Sequence, residues 1–239
     1  MPTPKRNKSP ARPANGGQAL RMHVGEVRRG TRTDEGFIPI VQETNRGDVE
    51  SRFYQAEANA TRAVLFVGGA GGGWDTPVRG WLYPRLARQF QTDDAIHALR
   101  VRYRQANDLA ECTLDVLAGI AFLQGEGVTD VALVGHSFGG AVVIQAAAAS
   151  EAVTACVPMS TQTFGVAPAA TLGPRCAMLM IHGTADEVLP PDCSRHVYAI
   201  AKEPKQILLK EGVRHGLDEW SDELPGLLRA WIVKALSGR

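Results

Sequence analysis

The stretch Val131-Ala-Leu-Val-Gly-His-Ser-Phe-Gly-Gly-Ala-Val-Val-Ile-Gln-Ala-Ala-Ala-Ala149 reads as a buried strand that turns sharply into a helix. Val131 to Val134 form a short apolar run of strand length, and the small residues from Ala141 onward suit a closely packed helix. Between them, Gly135-His-Ser-Phe-Gly139 fits the pattern G-x-S-x-G. A serine hydroxyl is a poor nucleophile unless it is presented clear of its neighbours. A tight strand-to-helix turn does this at a cost in backbone strain, and the flanking glycines leave room for the turn. The helix that starts there also aims its first amides at the serine.

Further apolar runs occur at residues 63–67, 96–103, 153–157, 177–181 and 206–209, separated by segments of helical periodicity. Ahead of them, residues 37–41 and 49–55 alternate and are joined by Asn45-Arg46-Gly47-Asp48, which predicts an antiparallel hairpin. The clearest helix begins after Asn107, where Asp108 can cap and Glu111 can reach back in a capping box. Another runs from Ser221, with Asp222 and Glu223 in its first turn and an apolar stripe of Leu224, Leu227, Leu228, Trp231 and Leu236. This alternation predicts an α/β fold: a mostly parallel central sheet with helices on both faces and antiparallel N-terminal strands.

The 239 residues suffice for one core of ordinary size. A net charge of +1 and 44% hydrophobic content give no field that would draw in nucleic acid or membrane, so the expected partner is a small molecule. Cys112, Cys156, Cys176 and Cys193 lie far apart without C-x-x-C spacing, which predicts reduced, mostly buried thiols and no metal cage. Residues 1–20, with Lys5, Arg6, Lys8 and Arg12 among Pro, Gly and Asn, read as a disordered basic head without the apolar core of a secretory signal. With no apolar run of membrane-spanning length, a cytoplasmic location is expected.

Open parallel sheets place their chemistry beyond the carboxyl ends of the strands. A serine there needs a base, and the base needs a carboxylate to orient it. His23 precedes the core, His97 falls in a strand, His136 is the spacer before Ser137, and His196 belongs to a helix. His182 and His215 remain on strand-end loops. No Asp or Glu occurs between Ala152 and Ala185, so the acid from the loops that follow is Asp186 or its neighbour Glu187. His182, four residues before Asp186, is expected to support its own turn. Asp218, three residues beyond His215, is the rival acid and is expected on the surface.

Taken together, Gly135-His-Ser-Phe-Gly139, His182-Gly-Thr-Ala-Asp-Glu-Val-Leu-Pro190 and Gly212-Val-Arg-His-Gly216 resemble the α/β-hydrolase superfamily from about residue 49 to the end. The segment between Thr161 and Ala177 is too short for a large lid domain, so the chain is similar to small cap-free serine esterases related to dienelactone hydrolase. Those hydrolases proper use cysteine where this chain has Ser137. The resemblance implies one α/β-hydrolase domain over residues 21–239 and a Ser137, Asp186, His215 triad acting on a small ester through an acyl-enzyme. It implies no metal or organic cofactor. Thioester or peptide hydrolysis, acyl transfer, and a non-catalytic binding module stay open.

Gly68-Gly-Ala-Gly-Gly-Gly-Trp-Asp75 invites a phosphate-loop reading, but no Gly-Lys-Ser or Gly-Lys-Thr follows and no G-x-G-x-x-G register fits. In the resembling family this loop lends a backbone N–H to an oxyanion hole. Carried over, the donors are the amides of Ala70, or Gly71, and Phe138. Many members have His-Gly where this chain has Gly68-Gly69, which questions the loop's rigidity. Arg104, near the same edge, either pairs with an acidic substrate or, as expected, ties down its own loop. Trp74, Trp81 and Phe138 could wall an acyl pocket or simply pack.

Overall fold

The computed structural model describes residues 21–57 and 59–237, so the expected head at 1–20 lies outside the described residues. Nine strands form one sheet. They are β1 (Val24–Arg29), β2 (Ile38–Thr44), β3 (Val49–Tyr54), β4 (Arg62–Val67), β5 (His97–Val101), β6 (Asp130–His136), β7 (Val153–Met159), β8 (Ala177–Gly183) and β9 (Lys205–Lys210). Their spatial order is β1-β2-β3-β5-β4-β6-β7-β8-β9. β2 runs antiparallel to both β1 and β3, and β3 is antiparallel to β5. From β5 to β9 every pairing is parallel.

Alternation along the central strands divides the core between two helical layers. Leu65, Leu99, Leu133 and Cys156 face α2 (Leu109–Gly125), α3 (Phe138–Ala149) and α4 (Asp192–Ile200). Val64, Phe66, Ala98, Val134 and Val157 face α1 (Leu82–Asp93) and α5 (Leu224–Ser237). The chain leaves β4 for β5 on one side and then crosses to β6 on the other. The loops after β4 and β6 therefore flank the crevice where strand order reverses, the usual ligand position in such sheets. Only a short 3-10 helix, Ala167–Thr171, separates β7 from β8, as expected for a chain without a large lid.

Three expectations are corrected. Strand β1 is absent from the sequence reading; it is exposed throughout and pairs only with β2, so no burial rhythm marks it. Asp108 does cap α2, its Oδ1 accepting from the Ala110 and Glu111 amides at 3.1 and 3.0 Å. Glu111, however, does not close a capping box; it bonds Arg46 and Arg104, whose combined charge outcompetes one amide. Lastly, Asp222 and Glu223 precede α5 and do not form its first turn. Glu223 accepts from Lys210 at 2.7 Å and from the Trp220 indole at 3.0 Å. All four cysteines are buried, as expected.

Candidate active site

Ser137 sits between β6 and α3 with φ 58° and ψ −124°, a backbone conformation that costs about 1–3 kcal/mol and persists only where its surroundings impose it. The surroundings here are two glycines. A methyl group on Gly135 would overlap the Gly139 carbonyl, and one on Gly139 would overlap the Gly68 carbonyl. The elbow thus closes on itself and on the β4 loop at once, and neither contact tolerates a side chain.

The imidazole of His215 bridges the serine and the acid. Its Nδ1 lies 2.8 Å from Asp186 Oδ2 and its Nε2 lies 3.0 Å from Ser137 Oγ. An ionised carboxylate only accepts, so Nδ1 carries the proton and Nε2 is free to accept from the serine. The side chain of Asp186 is fully buried and that of His215 is 15% exposed. Burial alone would raise the Asp186 pKa. Bonds from the Leu189 amide, the His215 ring and the Val188 amide outweigh it and hold the acid below its ordinary value.

The loops that carry these groups are stitched together. Ala185 donates to the Val213 carbonyl at 3.0 Å, Thr184 to Lys210 at 2.9 Å, and Val78 to Gly216 at 2.8 Å. His182 is buried and supports its own turn, as expected. Its Nε2 faces the Leu189 carbonyl and Asp186 Oδ2, both at 3.0 Å, and its Nδ1 faces Ser194 Oγ at 2.7 Å. A carbonyl cannot donate, so Nε2 bears the proton and Nδ1 accepts from Ser194. Burial lowers the pKa of this ring. The two rival acids are placed elsewhere. Glu187 Oε2 lies 3.3 Å from the His215 amide, not the ring. Asp218 is half-buried, not on the surface as expected, and accepts from the Arg79 amide at 2.9 Å.

The glycine loop lies against Ser137: a Cβ built on Gly69 would stand 3.5 Å from Ser137 Cβ. Ala70 follows at the exposed surface, and among the described residues no carbonyl accepts from its amide or from that of Phe138 at the start of α3. Position 68 has no space for the histidine of the resembling family, because a Cβ there would stand 2.8 Å from the Asp75 carbonyl. The loop gains its anchorage differently. Tyr103 donates to the Gly68 carbonyl at 3.2 Å, and Arg100 to the Trp74 carbonyl at 2.7 Å. The Arg52 guanidinium lies 4.3 Å from the Trp74 ring centre.

Arg104 does tie down its own loop. It is bonded to Asp115, to Glu111 at 3.0 Å and to the Arg46 carbonyl at 2.6 Å. Trp74 packs between arginines, and Phe138 is buried edge-on to Tyr103. Exposed apolar side chains at this edge of the sheet are instead Phe164 and Val188, 74% and 60% exposed on the loops after β7 and β8. Sequence reasoning missed Tyr103 and His136 as supports. The His136 Nε2 meets the His215 carbonyl at 2.8 Å, a main-chain contact that no motif spacing encodes.

Comparison with solved structures decides the architecture. Est1E from Butyrivibrio proteoclasticus superposes with a TM-score of 0.68 at 16% identity, covering 83% of this chain and 99% of its own. The chain has the α/β-hydrolase fold. A cold-adapted esterase from an Arctic intertidal metagenomic library is similar at TM-score 0.67 and 14% identity, over 87% of this chain and 97% of its own. So is an acetyl xylan esterase from Paenibacillus sp. R4, at 0.66 and 14% identity, over 89% of each chain. No family model and no curated protein sequence matches. Among the described residues of this α/β-hydrolase fold, no helix is long and apolar enough to cross a membrane.

Proposed function

We propose that the protein is a serine hydrolase that cleaves a small carboxylic ester or a related acyl compound through an acyl-enzyme. One observation carries the reading: a single imidazole, that of His215, lies within hydrogen-bond reach of both Ser137 Oγ and the buried Asp186. The esterases among the structural neighbours support the ester class, and the strained conformation of Ser137 supports a working site over a binding module.

In the first half-reaction Ser137 Oγ attacks the carbonyl carbon while His215 Nε2 takes its proton. Asp186 holds the ring in the Nδ1–H tautomer and stabilises the imidazolium. The tetrahedral oxyanion is received by the amides of Phe138 and Ala70, each donor contributing about 3 to 4 kcal/mol in comparable sites. Collapse breaks the ester C–O bond, and His215 returns the proton to the departing alkoxide. Water, deprotonated by the same ring, then attacks the acyl-enzyme and releases the acid and Ser137.

Every step uses the chain's own groups and draws on no metal or organic cofactor. Thioester hydrolysis and acyl transfer would use the same groups with a different leaving group or acceptor. The test is labelling with a fluorophosphonate probe beside a panel of p-nitrophenyl esters of graded chain length. The expected result is a single adduct on Ser137 and saturable ester turnover. Folded protein that neither labels nor turns over esters, thioesters or aminoacyl amides would overturn the proposal.

A further inference from the structure

Resting on the assignment of His215 as the base, we propose that His136 is a positioning residue that holds His215 in line between Ser137 and Asp186 by donating its Nε2–H to the His215 main-chain carbonyl. The geometry is specific. His136 ends β6, is 6% exposed, and places Nε2 2.8 Å from that oxygen. A carbonyl has no proton to give, so the ring must be the donor. The two imidazoles also lie against each other, with centres 4.9 Å apart and planes inclined by 49°.

The need for such a strut follows from where His215 sits. It belongs to neither strand nor helix, so no ladder fixes its backbone. Its peptide groups are instead held individually. The amide faces Glu187 at 3.3 Å, and the carbonyl accepts from His136 and, more weakly, from Ser160 Oγ at 3.3 Å. Because His136 directly precedes Ser137, the rigid end of β6 registers the base against the nucleophile without passing through the substrate. A displacement of about 1 Å between reacting groups costs roughly 100-fold in rate.

The charge state suits the role. Burial pushes the His136 pKa down to about 4, against the bond to the His215 carbonyl and the more distant attraction of Asp75 and Asp186. His136 is therefore a neutral donor at neutral pH, and it sets no second positive charge beside the imidazolium formed in the reaction.

Two variants of the full chain separate positioning from packing. His136→Phe keeps a planar ring without a donor, and His136→Gln keeps an N–H that can reach the carbonyl. With a p-nitrophenyl ester, His136→Phe is expected to lower kcat by about 100-fold with KM changed less than about twofold, and His136→Gln to recover most of the loss. The rate of Ser137 phosphonylation should fall in parallel. Equal losses in both variants, a loss carried by KM, or a loss that tracks the thermal midpoint would overturn the positioning role. Should His136→Phe not fold, His136→Ala supplies the donor-free comparison. A wild type that neither labels nor turns over would sink the hydrolase reading and this inference together; a wild type that does both, beside an unimpaired His136→Phe, would sink this inference alone.

Discussion

Asp186 stands between two imidazoles that meet it at almost the same distance, His182 at 3.0 Å and His215 at 2.8 Å. What differs is the far nitrogen of each ring. In His182 it accepts from the buried hydroxyl of Ser194, inside a region with no access to a ligand. In His215 it meets Ser137 Oγ at the end of the sheet. Proximity to a carboxylate therefore does not make a base. A ring on which both nitrogens are committed to structural partners serves the loop, and one whose second nitrogen faces a hydroxyl at the crevice can move a proton.

The widest separation between the two comes from deleting each ring's chemistry. His215→Ala should lower kcat by about a millionfold, as Ser137→Ala should, because residues that act as a unit fail together. Single-turnover acylation rates at unchanged thermal midpoint would check this. A His215→Ala enzyme that keeps even a hundredth of wild-type acylation would erase the distinction. Next in size is the shared partner. Asp186→Asn should cost about 10,000-fold, since an amide in that place can favour the wrong tautomer of His215. The same change should slow turnover at saturating substrate and leave KM nearly unmoved.

A third imidazole sharpens the comparison through pH. His136 has a folded-state pKa of about 4 against an ordinary 6.5, so the fold prefers it neutral. Its contribution is complete above pH 6.5 and is lost as pH falls from there toward 4, at most about 3 kcal/mol. His182, also lowered by burial, acts in the same direction. Asp186 acts in the same direction in a more acidic window: its depressed pKa contributes stability above the ordinary carboxylate value, lost as pH falls below it. Urea unfolding at about pH 7 and about pH 4.5 should show a smaller acid loss in His136→Gln than in the wild type. Equal losses would mean that His136 protonates freely in the folded protein.

How much of this could be read from the chain depends on whether the deciding contact is local. The elbow is legible because strand, glycines and helix are consecutive, and the carboxylate that meets His215 is legible because a long stretch without Asp or Glu leaves few choices. The antiparallel hairpin of β2 and β3 shows in its alternation and its turn. Strand β1 does not show, since a strand exposed on both faces has no burial pattern to display. Glu111 misleads for a related reason: a capping box is a four-residue rule, and the competing guanidinium of Arg46 lies 65 residues away. The strut from His136 spans 79 residues and ends on a carbonyl, a group every residue owns. Side chains announce side-chain chemistry, whereas a bond to the main chain leaves no residue-type trace at its far end.

The smallest effect is expected from the ring that is closest in sequence to the acid. His182→Ala would leave the Ser194 hydroxyl and the Leu189 carbonyl without their partner in a buried place, at a cost of roughly 2 kcal/mol of stability. It also removes one of the donors to Asp186. The Leu189 and Val188 amides, at 2.8 and 2.9 Å, and the His215 ring would still hold the carboxylate ionised and oriented. Turnover should accordingly fall by less than about tenfold while the denaturation midpoint shifts clearly. A loss of activity as deep as that of His215→Ala, in protein that remains folded, would mean that both imidazoles belong to one proton relay and that the second nitrogen is not what divides them.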